Sequence, residues 1–190
     1  HCISSAASDV YKRQYGDSPF NGENIGEMVY MDILNRARKY VHIMTPYLII
    51  DNEMITALTF AAKRGVDVKI ITPGRPDKKT VFAVTRSYYR ELIAGGEQIY
   101  EYSPGFVHAK TFVSDGDTAV TGSINLDYRS LYLHFECAAL MYRTPAAADI
   151  EADFQKTLAK CRRMTLEDCR KDRLGRRLMG WLLRPLAPLM

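Results

Sequence analysis

The stretch VHAKTFVSDGDTAVTGSIN, residues 107–125, decides the fold and the chemistry expected of this chain. Its apolar and β-branched residues predict one strand over residues 107–114 and a second over residues 118–121, and the DGD turn between them favours a hairpin. Residues two apart on a strand point to the same face of the sheet. We therefore expect His108 and Lys110 to project together.

The polar residues of this stretch suit chemistry at phosphorus. A histidine attacks phosphorus or shuttles a proton near neutral pH, and a neighbouring lysine offers a positive charge to phosphate oxygens. Ser123 and Asn125, also two apart, add neutral donors. A histidine or lysine on its own is more often structural or solvated, so the prediction rests on the complete set, which is His108, Lys110, Asp115, Gly122, Ser123 and Asn125.

Strand and helix patterns alternate on both sides of this stretch. This alternation predicts an α/β sandwich, with a mixed β-sheet flanked by helices on both faces. Strands are expected at residues 41–45, 66–71, 98–102 and 134–142. Helices are expected at residues 24–39, from Asp51 or Asn52 up to Gly65, at residues 78–94, and where Ile150, Phe154, Leu158 and Cys161 recur on one face.

The composition is that of a folded domain, with 47% hydrophobic and 25% charged residues. No apolar run reaches the ~20 residues that a membrane-spanning helix needs. The four cysteines have no metal-ligand spacing, which predicts reduced thiols and no zinc site.

The positive charge is concentrated near the C-terminus. Residues 160–184 contain nine Lys or Arg against three carboxylates, a net charge of +6, so the remainder carries about −2 of the total +4. Within this segment Leu174, Leu178, Trp181 and Leu182 recur at helical spacing among arginines. A basic helix of this kind suits an anionic lipid surface, and packing of the same apolar face on the domain is the alternative.

The pattern H-x-K-x-x-x-x-D followed by G-S-x-N resembles the signature of the phospholipase D superfamily. Further stretches are similar to the second half of bacterial cardiolipin synthases, and the resemblance covers residues 17–190. These stretches are Thr45-Pro46-Tyr47, Gly65-Val66-Asp67-Val68, Pro76-Asp77-Lys78, Thr85-Arg86-Ser87-Tyr88-Tyr89 and Asn125-Leu126-Asp127-Tyr128-Arg129-Ser130.

The resemblance implies a phospholipase D-like fold and a phosphatidyltransferase. Two phosphatidylglycerol molecules would become cardiolipin and glycerol through a phosphohistidine intermediate, with no metal and no other cofactor. In family members with two motifs the first-half histidine is generally the nucleophile, so His108 is expected to act as the acid and base. The resemblance also implies a membrane location for the parent protein, with the catalytic domain on the cytoplasmic side.

Two carboxylates receive different expected roles. In the family a downstream carboxylate holds the histidine, and Glu136 matches its position. Asp115 is counted as catalytic by the signature, but with Glu136 in that role it is expected mainly to brace the motif. His42 and His134 lack comparable neighbours in the sequence and are interpreted as structural.

The expected organisation has three parts. Ser4–Gln14 resembles a translated sequencing adapter, so residues 1–16 are expected to be an artefactual or disordered terminus. Residues 17–163 are expected to form the second catalytic domain, and residues 164–190 a basic amphipathic tail. The family has two facing motifs and this chain has one, so the expected partner is a lost first half or a second copy of this chain.

Two alternatives remain at this stage. A single-motif homodimeric nuclease or phosphodiesterase of the same superfamily would share the motif. A DNA-binding face needs basic residues around the cleft, however, and the body outside the tail is slightly acidic, which argues against nucleic acid as the partner. A fragment that keeps the fold without catalysis is the other alternative.

Overall fold

In a computed structural model, which describes residues 11–20 and 22–189, the chain forms an eight-stranded sheet with helices on both faces. The strands are β1 (Tyr11–Asp17), β2 (Tyr40–Met44), β3 (Leu48–Ile49), β4 (Asp67–Pro73), β5 (Gln98–Tyr102), β6 (Thr111–Ser114), β7 (Thr118–Gly122), β8 (Leu126–Asp127), β9 (Glu136–Tyr142) and β10 (Cys161–Arg163). The helices are α1 (Ile25–Arg36), α2 (Asn52–Lys63), α3 (Lys79–Gly95), α4 (Pro145–Leu158), α5 (Leu166–Lys171) and α6 (Leu174–Leu183).

The sheet is mixed. Its strand order is β1-β9-β7-β6-β2-β4-β5-β10, in which β2, β4 and β5 run parallel and the other neighbours are antiparallel. β3 and β8 form a separate two-stranded parallel sheet. The parallel strands are connected through helices, as parallel pairing requires.

Alternating side chains build a core on each face of the sheet. Ile43 and Phe112 pack with residues of α1, α2 and α3 on one face, whereas Met44 and Val113, one position later, join clusters that contain residues of α4. This period of two follows from the strand pleat and confirms the expected α/β sandwich.

Local signals set several helix ends as predicted. The Asp51 side chain accepts a hydrogen bond from Met54 N at 2.8 Å and caps α2. α3 is capped at its C-terminal end by Gly96, whose φ of +118° lies in the region that glycine occupies without steric cost.

The N-terminal part of the described chain differs from the expectation. Residues 11–17 form β1, which pairs antiparallel with β9 over its whole length, from Tyr11 opposite Tyr142 to Asp17 opposite Glu136. β1 thereby covers an edge of β9 that would otherwise expose unpaired backbone groups. The expected disordered terminus is therefore wrong for residues 11–16. Residues 1–10 lie outside the described residues, and the adapter origin remains an expectation.

Three predicted boundaries are corrected. The strand expected over residues 107–114 is regular only from Thr111 onwards. The strand expected from residue 134 begins at Glu136, after a π-helical turn over Arg129–Leu133. Cys161, expected on the face of a helix, lies in β10, although it packs in the same cluster as Phe154.

The C-terminal segment packs against α3. Gly180 is buried there so closely that a Cβ would lie 2.4 Å from the Ala83 carbonyl oxygen. The alternative in which α6 packs through its apolar face is therefore wrong, because the apolar side chains predicted on that face are exposed, namely Leu174, Leu178, Trp181 and Leu182. No helix in residues 11–20 and 22–189 has the length and apolar character needed to cross a bilayer.

Candidate active site

All of the motif residues except Asp115 lie at one end of the β6–β7 hairpin. His108 and Lys110 lead into the start of β6, and Ser123 and Asn125 follow the end of β7. Because β6 and β7 are antiparallel, with Thr111 opposite Thr121, these two ends lie at the same edge of the sheet. This edge is also the carboxyl end of β2, since Met44 pairs with Thr111.

Lys110 folds back onto His108. Its Nζ lies 3.1 Å from Nε2 and 3.3 Å from Nδ1 of His108, and it donates a hydrogen bond to the His108 carbonyl oxygen at 2.8 Å. Lys110 is buried, whereas His108 is exposed. The two side chains are thus together, as predicted, but in an irregular segment. The hydrogen bonding between β2 and β6 stops at Met44 and Thr111. It does not continue alongside His108 and Lys110 because Pro46, two residues after the end of β2, has no N–H to donate.

The Ser123 and Asn125 side chains are held by the elements that follow β7. The Ser123 Oγ accepts from Cys137 N at 3.0 Å and donates to Cys137 O at 3.3 Å. Asn125 Nδ2 donates to Ser130 Oγ at 2.8 Å, and its Oδ1 is buried without a partner in the described part of the chain. A buried acceptor without a partner is a group available to a ligand donor, such as a hydroxyl.

Gly122 is explained by the close approach of β7 to β9. A Cβ at this position would lie 2.4 Å from the Cys137 carbonyl oxygen and 2.6 Å from the Ala138 Cα. Only glycine allows these two backbones to approach so closely. The glycine of the motif therefore sets the position of Ser123 relative to β9.

Carboxylates oppose the effect of burial on Lys110. Burial lowers the pKa of the Lys110 ammonium, and the charges of Glu136 and Asp127 act to raise it. Asp127 is itself buried, which raises its pKa despite a 2.8 Å hydrogen bond from Ser130 N. Sequence reasoning missed Asp127 as a site residue. The only sequence signal was its position two residues after Asn125, in a stretch that resembled the family.

Glu136 lies beside a different histidine from the one expected. Its Oε1 is 3.8 Å from His134 Nδ1, and no hydrogen bond within the described residues joins it to His108. His134 is exposed at the rim and accepts a 2.7 Å hydrogen bond from Arg129 Nε. Thus His134, interpreted as structural from the sequence, is a neighbour of the site.

His42 has a structural environment, as predicted. Its ring is stacked between Tyr40 and Phe154, with centroids 4.4 and 4.5 Å away. Its Nδ1 lies 2.9 Å from the Glu151 carboxylate. All of these contacts lie within the packing between the sheet and α4, and none reaches the motif residues.

Asp115 lies at the opposite end of β6 from His108 and Lys110. At ~3.3 Å per residue, the five residues from Lys110 to Asp115 span roughly 16 Å. The Asp115 carboxylate accepts hydrogen bonds from the backbone N–H groups of Arg38, Lys39 and Tyr40 at 2.8, 2.8 and 3.0 Å. These bonds tie the hairpin turn to the segment between α1 and β2, which agrees with the bracing role expected of Asp115.

Exposed apolar side chains border the polar site. The Phe106 ring centroid lies 5.8 Å from that of His108. The Phe20 and Phe135 rings contact each other at 5.8 Å, and Phe135 directly precedes Glu136. Phe20 is 84% exposed and Phe135 is 72% exposed. The site thus combines the polar motif residues with an exposed apolar rim.

Known proteins resemble the chain in sequence and in fold. Residues 30–158 match the family described as "Cardiolipin synthase, PLD-like domain". An uncharacterised protein of Streptococcus mutans is 56% identical over 180 residues, which are 95% of this chain and 39% of that protein. Cardiolipin synthase 2 of Bacillus anthracis is 40% identical over 162 residues, which are 85% of this chain and 32% of that protein.

A solved structure has a similar fold. Nuc, a phospholipase D family member from Salmonella typhimurium, aligns with a TM-score of 0.68 at 20% identity and covers 81% of this chain and 99% of its own. At that identity the likeness concerns the fold alone. The chain itself spans 32–39% of the length of the two sequence relatives above.

Proposed function

The chain belongs to the family of PLD-like cardiolipin synthase domains, and on that premise we propose that it is one catalytic half of a phosphatidyltransferase. The proposed reaction transfers a phosphatidyl group from one phosphatidylglycerol to another and releases glycerol. The observation that carries the proposal is the juxtaposition of His108 and Lys110 with Ser123 and Asn125 at an edge bordered by exposed phenylalanines.

Three of these polar groups have a task in the proposed reaction. Lys110, positively charged, binds the non-bridging phosphate oxygens, and the Nδ2 hydrogen of Asn125 that does not bond Ser130 donates to the same phosphate. His108 protonates the departing glycerol oxygen and then takes the proton of the incoming hydroxyl. The phosphatidyl group is carried meanwhile on a histidine of a second motif, in the first half of the parent chain or in a second copy. The parent protein is proposed to act at the cytoplasmic side of the cell membrane.

The rim favours a lipid over a nucleic acid. A nucleic-acid backbone is bound chiefly by Lys and Arg side chains placed around the cleft. Here the side chains around His108 and Glu136 include exposed Phe106, Phe135 and Leu133, and the nearby Arg129 already donates to His134. A substrate with a phosphate headgroup and apolar chains matches both parts of the site.

The test is a lipid assay by mass spectrometry. The chain, alone and joined to the first half of a related synthase, is incubated with phosphatidylglycerol vesicles, beside His108→Ala versions of both. We expect the joined protein to form cardiolipin and His108→Ala to reduce the rate at least 10²-fold, the lower range for loss of an acid–base catalyst. Cleavage of DNA by the chain alone, without cardiolipin from either version, would instead favour the homodimeric nuclease.

A further inference from the structure

Helix α6 is fixed to the body of the protein through one side only. Gly180 lies against the backbone of Ala83 in α3, and the Arg184 guanidinium lies 4.1 Å above the Tyr88 ring and pairs with Glu91. These contacts fix the rotation of α6 about its own axis. The side chains on its other side are therefore left exposed, and some of them also line an open groove beside α3.

That outer side is apolar. Leu174, Leu178, Trp181 and Leu182 occupy positions i, i+4, i+7 and i+8 of the helix and are 77%, 53%, 70% and 55% exposed. We call these four residues the Trp181 face. A continuous strip of large apolar side chains on one helix exceeds the scattered exposure that is normal for a protein surface.

Cations without carboxylate partners border the Trp181 face. Three carboxylates of the segment are already paired within it or with the body: Glu167 with Lys171, Asp168 with Arg162, and Asp172 with Arg86 and Arg176. Within the described residues no carboxylate pairs with Arg170, Arg173 or Arg177, and Arg173 and Arg177 are exposed. The surface therefore presents positive charge next to apolar side chains.

From this arrangement we infer that the Trp181 face is a docking surface for an anionic lipid bilayer. Leucine and tryptophan side chains enter the boundary between headgroups and acyl chains, while arginines remain at the level of anionic headgroups. A second copy of the chain fits less well, because a two-fold interface uses the same patch on both copies, and this patch is positively charged.

The direction of α6 relates this surface to the active-site edge. Arg176 lies over Phe82, Gly180 over Ala83 and Ser87, and Arg184 over Tyr88, so α6 runs in the same direction as α3. α3 follows the carboxyl end of β4, which is parallel to β2. The first residues of α6 therefore lie towards the edge of the sheet that holds His108, and docking would hold that edge close to the lipid surface.

The experiment uses Trp181, the single tryptophan of the chain, as its reporter. The chain is titrated with vesicles of phosphatidylcholine and phosphatidic acid, and with vesicles of phosphatidylcholine alone. Phosphatidic acid supplies negative charge without the glycerol headgroup of the proposed substrate. We expect a blue shift of Trp181 emission and co-sedimentation with the anionic vesicles only, with both weakened at 1 M salt.

Two double variants test the positive charge and the apolar side chains of this surface separately. Arg173→Gln with Arg177→Gln should weaken binding roughly 20-fold or more, since each cation near an anionic membrane contributes about 1 kcal/mol, or roughly five-fold. Leu174→Ser with Leu178→Ser should abolish the blue shift. The matched controls lie elsewhere on the surface and should bind like the unmodified chain: Lys12→Gln with Arg13→Gln, and Met28→Ser with Phe60→Ser.

Catalysis and docking are separated by His108→Ala, which should bind the vesicles as the unmodified chain does. The inference is overturned if anionic vesicles cause no blue shift, or if the Arg173/Arg177 and Leu174/Leu178 double variants bind as tightly as their controls. It is equally overturned if sedimentation shows that the chain self-associates through this face without vesicles. Failure of cardiolipin synthesis alone would affect the proposed reaction and leave the docking surface intact.

Discussion

At the scale of single residues, Asp115 and His108 belong to the same motif but have different surroundings. Asp115 accepts three backbone hydrogen bonds at the far end of β6. Asp115→Asn keeps a residue that tolerates the positive φ of 54° found there, but it replaces one acceptor oxygen with an NH₂ group. We expect the free energy of unfolding to fall by about 1–3 kcal/mol, the usual cost of leaving such groups unpaired. Chemical denaturation measures this loss.

The control for this prediction is His108→Ala, whose exposed side chain should leave stability nearly unchanged while removing activity from the joined protein. Asp115→Asn should show the opposite pattern at a temperature where both variants are folded. A loss of activity as large as that of His108→Ala, with unaltered stability, would show that Asp115 takes part in the chemistry.

Much of the site could be predicted because its residues are close in sequence. The two-residue spacing of His108 and Lys110 and the following G-S-x-N stretch predicted which polar groups lie together at this end of the hairpin. The neighbours of Glu136 could not be predicted, since they depend on how β9 enters the sheet after the π-helical turn. The participation of Asp127 depends in turn on burial, which no local pattern reveals.

At the scale of helices and strands, two carboxylates and a tyrosine connect α1, α2 and the π-helical turn. The Tyr132 hydroxyl, in the π-helical turn, contacts the carboxylates of Glu27 in α1 and Asp51 at the start of α2. Burial, reinforced by a hydrogen bond with Asp51, raises the pKa of Glu27 to about 7. Its contribution to the free energy of unfolding is therefore fully present below its unfolded pKa of ~4.3 and is lost as the pH rises through 7.

Glu97 acts in the same direction, because burial raises its pKa to about 7 as well. We therefore expect the melting temperature to fall between pH 5 and pH 8, by about 2–4 °C for each kcal/mol in a chain of this size. Glu27→Gln and Glu97→Gln should each reduce that fall, whereas the exposed Glu23→Gln should not. If the melting temperatures of all four proteins fell equally across this pH range, Glu27 and Glu97 would not be the groups responsible.

The helices and strands were predicted most reliably where local sequence signals define their ends. The α2 boundaries and β5 agreed closely because a cap, a glycine and a short alternating strand define them locally. The errors arose where pairing partners decide the outcome. β6 is shorter than its apolar pattern because β2 offers no partner beyond Met44, and residues 11–16 became a strand because β9 was available to pair with them.

At the scale of the whole molecule, the C-terminal segment is part of the folded body and not an appendage. Met164 belongs to the main core, and α6 packs on α3. The connection includes a largely buried ionic network, in which Arg86 lies 3.1 Å from Glu101 and 3.2 Å from Asp172. The sequence indicated the amphipathic helix, but not which side would face the protein, since that choice follows from the fit of Gly180 against Ala83.

Asp172→Asn tests how strongly this network holds the segment to the body. Asp172 bridges Arg86 and Arg176 while its side chain is only 7% exposed. The substitution removes one of the two carboxylates beside Arg86, which keeps Glu101, and it removes the carboxylate paired with the partly exposed Arg176. Because Arg86 keeps a partner, the cost should stay below the roughly 3–5 kcal/mol that is typical when a buried charge loses its only partner. We expect amide hydrogen exchange in residues 166–189 to accelerate strongly, with much smaller changes in β2 and β4. Glu167→Gln removes a carboxylate from an exposed pair in the same segment and should cost less than about 0.5 kcal/mol. Equal exchange rates in the two variants would mean that helix packing alone, through Gly180, holds the segment in place.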